Sequence, residues 1–274
     1  MRLTVFNVEH GACALLVSDD GRTVMIDCGH NSTSGWYPGD HLVSIGVHSL
    51  DALFNTNYDQ DHVSGFPNLI DRVHVRSIFR NTSVQPATIW HLKSEDGIVS
   101  AAMTRFVQAI SQQFLPPGSA PPLQIPGVSV GLFHNSYPHF EDENNLSMVV
   151  ALGFSGVNFL FPGDLETDGW AHLLATNPQF RAEVARTNVL VASHHGRQNG
   201  VYESLFDVYG CRPQIVVISD DEYQFDTQQT VPYYRSKCSG IGGFRGQGTR
   251  HVLTTRRDGD ISFVTTGNGS VQVL

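Results

Sequence analysis

Three apolar runs, at residues 50–56, 157–161 and 188–193, constrain this chain more than any other feature, because each stops abruptly on acids or imidazoles. The first runs into Asn57-Tyr58-Asp59-Gln60-Asp61-His62, the second into Pro162-Gly163-Asp164, and the third ends at Ser193 before His194-His195-Gly196. Runs this short and this apolar read as buried strands. A buried strand fixes the position of its own end, so the chemistry of this chain sits at strand ends, where sites in layered α/β proteins form.

On a regular strand Asp59 and Asp61 share one face, and the following turn lets His62 swing toward the same point. Two neighbouring carboxylates repel unless a cation lies between them. Adjacent imidazoles after a buried strand are costly to leave without partners, and neutral histidine is a common transition-metal ligand. Each motif alone also has a plainer meaning: an acidic turn, a helix cap, a packed histidine. Three strand ends delivering Asp or His together describe a metal cluster with open coordination positions.

The remaining pattern supplies a scaffold. Residues 2–8, 12–18 and 22–28 are β-rich, with Asp19-Asp20-Gly21 as turn chemistry between the second and third, so a meander is expected. A loop carries Gly35 to Gly39. Ser64 caps a short helix over 65–72. Residues 100–115 hold Ala101, Met103, Phe106, Val107, Ile110 and Phe114 at helical spacing, and Pro116-Pro117 stops them. Further strands are predicted at 128–133, 147–154, 214–219, 251–255, 261–265 and 271–274, with a helix at 165–175. Two β-rich halves with helices outside predict one α/β domain over residues 1–274, a four-layer αβ/βα sandwich.

A net charge of −9 argues against a surface that grips long nucleic acid by phosphate neutralisation alone, but bound cations invert the local field. No apolar stretch approaches the roughly 18 to 20 residues that span a bilayer. The opening residues lack a signal core, so a cytoplasmic protein without a membrane partner is expected. Cys13, Cys28, Cys211 and Cys238 are scattered without CxxC spacing and read as free thiols, Cys28 lying nearest the proposed pocket.

With these motifs in order, the chain resembles the metallo-β-lactamase superfamily, in the branch similar to the nuclease domain of the competence protein ComEC. Thr56-Asn57-Tyr58-Asp59-Gln60-Asp61-His62-Val63-Ser64-Gly65 resembles that branch's T-H-x-D-x-D-H strand end. Phe6-Asn7-Val8-Glu9-His10-Gly11-Ala12 is similar to its D-V-G-x-G-D-A start, and Met25-Ile26-Asp27-Cys28-Gly29 to its L-I-D-T-G strand. Asn144-Asn145-Leu146-Ser147-Met148-Val149, Gly163-Asp164, Ser193-His194-His195-Gly196 and the tail around Gly259 and Ile261 follow in the same order. The resemblance implies one metal site from Asp61, His62 and either His194 or His195, with Asp164 bridging to a second site that includes Asp59. Asn144 would stand where other members place a third His, and Asp27 would orient the loop rather than bind.

The family's first His is Asn57 here, and an amide oxygen is a weaker ligand for a transition metal. The cofactor is therefore expected to be one or two divalent ions, Zn²⁺ or Mn²⁺, with Mg²⁺ admitted. His30 and His139 are the first candidates to replace the missing ligand. The expected activity is hydrolysis of a phosphodiester in nucleic acid or a nucleotide by a metal-activated water. Asp61 would orient the water, and His194 or His195 would contact developing charge or the leaving group. Ser147 and Arg197 lie close by, with Arg197 as a phosphate contact. Tyr58, Tyr223, Phe225, Tyr233 and Tyr234 offer rings that would stack a base. The competing readings are hydrolysis of a non-phosphate ester, lactone or amide, and a binding module that lost catalysis with Asn57. Protein partners are not legible.

Overall fold

The computed structural model describes residues 1–95, 97–112, 123–221 and 228–274. Two sheets face each other. The first has seven strands in the spatial order Val271–Val273, Ile261–Thr265, Arg2–Val5, Ala14–Val17, Thr23–Ile26, Ala52–Phe54 and Ile78–Phe79. Arg2–Val5, Ala14–Val17 and Thr23–Ile26 form an antiparallel meander, and Ala52–Phe54 then pairs parallel to Thr23–Ile26. The second sheet has six strands, ordered Val252–Thr254, Ile215–Ile218, Val189–Val191, Val157–Phe161, Met148–Phe154 and Val128–His134. Its first four strands in that order run parallel.

Alternation along the strands builds the layers. Leu16, Val24, Ile26 and Phe54 of the first sheet meet Val150, Leu152, Phe159 and Val217 of the second in the central core. Their neighbours Leu15, Met25 and Leu53 turn outward under Pro38–Ser44, Phe66–Arg72, Pro86–Glu95 and Ala101–Gln112, which contribute Leu42, Phe66, Ile89 and Phe106. Val149, Ala151, Leu160 and Val216 turn the other way under Thr167–Thr176, Pro178–Ala185 and Val231–Lys237, which contribute Trp170, Phe180 and Tyr234. A period of two puts successive side chains on opposite faces, so these strands need apolar cover on both sides. The result is the four-layer αβ/βα sandwich expected from the sequence.

The elements differ from expectation in informative places. The predicted loop at Gly35 to Gly39 runs into the helix Pro38–Ser44, whose first residue is a proline with φ already suited to a first turn. Pro86–Glu95 buries only Ile89, which leaves almost no stripe to detect. Ser49–Leu50 and His74–Val75 are two residues each, too short for an alternation. The helix expected over 100–115 spans Ala101–Gln112, and residues 113–115 lie outside the described residues. Among the described residues no helix is long and apolar enough to cross a membrane.

Candidate metal centre

Asp27, the loop 57–62, Asp164, His194-His195 and Ser219 all follow the carboxyl ends of neighbouring strands and meet at one edge of the sandwich. The loop 57–62 is seated by glycine. A Cβ at Gly11 or Gly29 would lie 2.8 or 2.6 Å from the Asp61 carbonyl oxygen, so only a bare backbone fits there. Asp61 O accepts from Ala12 N at 3.4 Å, and His62 O accepts from Cys28 N at 2.9 Å. The acid-bearing loop is thereby fixed to the first and third strands of the chain.

Four side chains converge: potential ligand atoms of Asp61, His62, Asp164 and His195 all lie within 4.8 Å of one another. His62 is clamped, with Nδ1 2.9 Å from Asp27 Oδ2 and Nε2 3.1 Å from Asp164 Oδ1. Asp27 in turn accepts from Thr56 N at 2.7 Å and Thr56 Oγ1 at 2.5 Å. His195 Nδ1 donates to Ser219 O at 2.9 Å, which turns its Nε2 toward the carboxylates. That Nε2 lies 2.9 Å from Asp61 Oδ2 and 3.5 Å from Asp164 Oδ1, yet has no aligned hydrogen bond.

The backbone is strained where it delivers these groups. Asp27 (φ 54°), His194 (φ 50°) and His195 (φ 52°) occupy the left-handed region, and Gly196 (φ 74°) continues the turn. For non-glycine residues this costs on the order of 1–3 kcal/mol each. The turn sends successive imidazoles to opposite walls. His195 faces the cluster, whereas His194 Nδ1 lies 3.3 Å from Glu166 Oε1 and its Nε2 accepts from Arg197 at 3.3 Å.

Charge is concentrated here. Burial by itself would raise the Asp61 carboxyl, but His62 and His195 outweigh it and bring it down to about 2. Burial likewise opposes ionisation of Asp164, and the same two imidazoles hold it well below the usual carboxylate range. Burial alone would strip His62 of its proton; Asp164, Asp27 and Asp61 reverse this and keep it protonated well above the ordinary imidazole range. The pocket floor is a cleft lined by Val5, Ala14, Ile26, Phe161 and Val191, an apolar surface that strengthens the charge interactions above it. Two carboxylates and two imidazoles aimed at one point over an apolar floor are a donor set that fits a single divalent cation.

Other predicted residues sit elsewhere. Asn57, expected among the ligands, has its amide engaged by protein groups. Asn57 Oδ1 accepts from Asp59 N at 2.7 Å, and its Nδ2 donates to Ser147 Oγ at 3.1 Å and Asn144 Oδ1 at 3.3 Å. Asp59 also stands apart from the cluster, with Oδ1 2.7 Å from Lys93 Nζ, while Lys93 reaches Glu143 Oε1 at 3.1 Å. Ser147 Oγ accepts from Asp164 N at 3.1 Å, and Asn144 Nδ2 donates to Glu166 Oε1 at 2.9 Å, so both brace the site.

Tyr58 offers no stacking surface, being 2% exposed with its hydroxyl donating to Asn81 O. Tyr233 and Tyr234 pack against Phe206, and Tyr223 and Phe225 lie outside the described residues. His30 stacks on Tyr37, and His139 on His172. The Cys28 thiol is buried in the helix-covered core, where loss of solvent pushes it well above its ordinary value.

Two further residues border the cluster: His10, a loop histidine that ranked behind His30 and His139 as a replacement ligand, and Lys93, which the sequence did not single out. His10 packs on His195 with ring centroids 4.5 Å apart, its Nε2 4.0 Å from Asp61 Oδ2 and accepting from Arg197 Nη2 at 3.1 Å. Burial and the adjacent His195 bring it down to about 4. Its one signal was membership of the glycine-bearing loop after the first strand. Lys93 comes from the unpredicted helix Pro86–Glu95 and had no local signal.

A family model described as the metallo-beta-lactamase superfamily matches residues 7–175. The chain belongs to the metallo-β-lactamase superfamily. Within the superfamily its ComEC-like character is supported by ComE operon protein 3 of Bacillus subtilis (strain 168), 24% identical over 178 residues, 65% of this chain. The chain spans about a fifth of that relative, 21% of its length. Among solved structures, Igni18, a metallo hydrolase from the archaeon Ignicoccus hospitalis KIN4/I, superposes with a TM-score of 0.51 at 13% identity. That match covers 97% of this chain and 100% of the other, and it shows a shared metallo-β-lactamase fold.

Proposed function

We propose that this chain hydrolyses a phosphodiester in nucleic acid or a nucleotide, using a divalent cation held by Asp61, His62, Asp164 and His195. The observation that carries the reading is the convergence of those four ligand atoms within 4.8 Å, each oriented by a partner outside the cluster or by the strand end that bears it. A divalent cation bound there supplies Lewis-acid polarisation and a lowered pKa for water.

The chain's own groups do the rest. Asp27 holds His62 with Nε2 toward the cluster, and the Ser219 carbonyl holds His195 likewise, the orienting contacts that tune metal ligands. Asp61, 23% exposed, is the cluster member at the mouth and orients the attacking water. Arg197, bridging His10 and His194, sets a planar cation between two imidazoles that border the cluster, suited to a phosphoryl oxygen. His194, held by Arg197 on one side and lying against Glu166 on the other, positions that guanidinium. The free thiols Cys13, Cys28, Cys211 and Cys238 support a cytoplasmic setting for the same reading.

The test is turnover of bis(p-nitrophenyl) phosphate, short nucleic acids and cyclic nucleotides with Mn²⁺ or Zn²⁺, beside ester and lactone controls. Cation-dependent phosphodiester cleavage that disappears in Asp61→Ala is expected. Silence on every phosphodiester with turnover of an ester or lactone would overturn the substrate class.

A further inference from the structure

We propose that the Lys93 ammonium takes the place of a second cation in this pocket, so that the chain binds one divalent ion and not two. The inference rests on the reading of Asp61, His62, Asp164 and His195 as the ion site.

Asp59 and Asp61 belong to one loop, two residues apart, yet they meet opposite fates. Asp61 joins the ligand cluster. Asp59, which the family resemblance assigns to a second ion, instead sits 2.7 Å from Lys93 Nζ. The same ammonium lies 3.1 Å from Glu143 Oε1, so among the described residues one positive charge faces both of these carboxylates. Its side chain is 15% exposed, against 31% for Asp59 and 17% for Glu143, which makes this a covered contact rather than a solvated surface pair.

Lys93 and Lys237 are the only lysines in a chain whose other fifteen Lys or Arg side chains are arginines. An ammonium is a compact point charge, the side chain closest in character to a bare cation.

The rest of that flank is closed in a matching way. Both donors of the Asn57 amide are spent on Ser147 Oγ and Asn144 Oδ1, and one of the two lone pairs of its oxygen on Asp59 N. Ser147 Oγ already accepts from Asp164 N. Where a second ion would need free lone pairs, this side presents amide donors, an amide oxygen already accepting, and carboxylates held by a resident charge. A salt bridge that merely stitched the Pro86–Glu95 helix to the loop would leave ion content untouched, and this separates the two roles.

The experiment is native mass spectrometry of the tag-free full chain titrated with Mn²⁺ and Zn²⁺, with circular dichroism confirming the fold of each variant. One ion is expected for the wild type and for Lys93→Arg, which keeps the charge. The Asn57→His/Lys93→Gln double variant should take two, with the second at least tenfold tighter than any second binding by the wild type. Two ions in the wild type, or one in a folded double variant, would overturn the role of Lys93 and leave the ion site standing. No ion in the wild type would instead overturn the cluster reading, and the proposal with it. Should the double variant fail to fold, the wild-type stoichiometry still decides.

Discussion

The two flanks of the pocket are built by the same six-residue loop and differ in how their polar atoms are satisfied. On one flank Asp61, His62, Asp164 and His195 crowd together over an apolar floor, all but Asp61 buried, with His195 Nε2 lacking any aligned hydrogen bond. On the other, Asn57, Asp59, Asn144 and Ser147 form a closed chain of amide, hydroxyl and ammonium contacts. Buried polar groups are nearly always paired, so an under-paired set marks where something else binds and a fully paired set marks where nothing needs to. The composition of the loop alone does not separate the flanks; the partners do.

The largest effect that would break this contrast lies on the under-paired side. Asp61→Ala or Asp164→Ala should bring phosphodiester turnover to background, and retained turnover in either would remove the functional distinction between the flanks. Asp27→Asn touches no ligand position but weakens the clamp on His62. An affinity loss of about 10- to 100-fold is expected, typical of orienting partners, measured by Mn²⁺ titration.

A third prediction uses the sign of the His62 shift. Without an ion its proton is held well above the ordinary range, so a cation must expel that proton to reach Nε2. Ion affinity should therefore rise with pH from about the ordinary imidazole value of 6.5 upward, and calorimetry in buffers of different ionisation enthalpy should report proton release. Proton uptake would contradict the arrangement. The smallest effect belongs to the paired flank. Asn57→Ala orphans the Asp59 amide, and unfolding by urea should show a loss of about 1–3 kcal/mol with the first ion still bound.

What the sequence revealed follows from the range of each signal. Asp61, His62, Asp164 and His195 were legible because each ends an apolar run, and a short run of local residues declares both the strand and its terminus. The choice between His194 and His195 was not legible, because it depends on a left-handed turn and on the Ser219 carbonyl, donated by another strand. Tyr58 looked like a pocket aromatic from its position, but its ring is drawn into the core beside Phe106. Lys93 was invisible because its helix buries a single residue among the described ones and the carboxylates it meets at the site, Asp59 and Glu143, are 34 and 50 residues away along the chain. The layers were readable because alternation is a local property of strands, whereas which ends touch is a property of the whole sandwich.

The reversed hand of the His194-His195-Gly196 turn has a mechanical corollary. Two adjacent rings serve different chambers, one holding Arg197 at the rim and the other reaching the interior acids. Neither can swing its main chain without dragging its neighbour, because both share the same strained hinge. An anion pulling on the rim arginine would thus be felt, through one peptide bond, at the innermost acids.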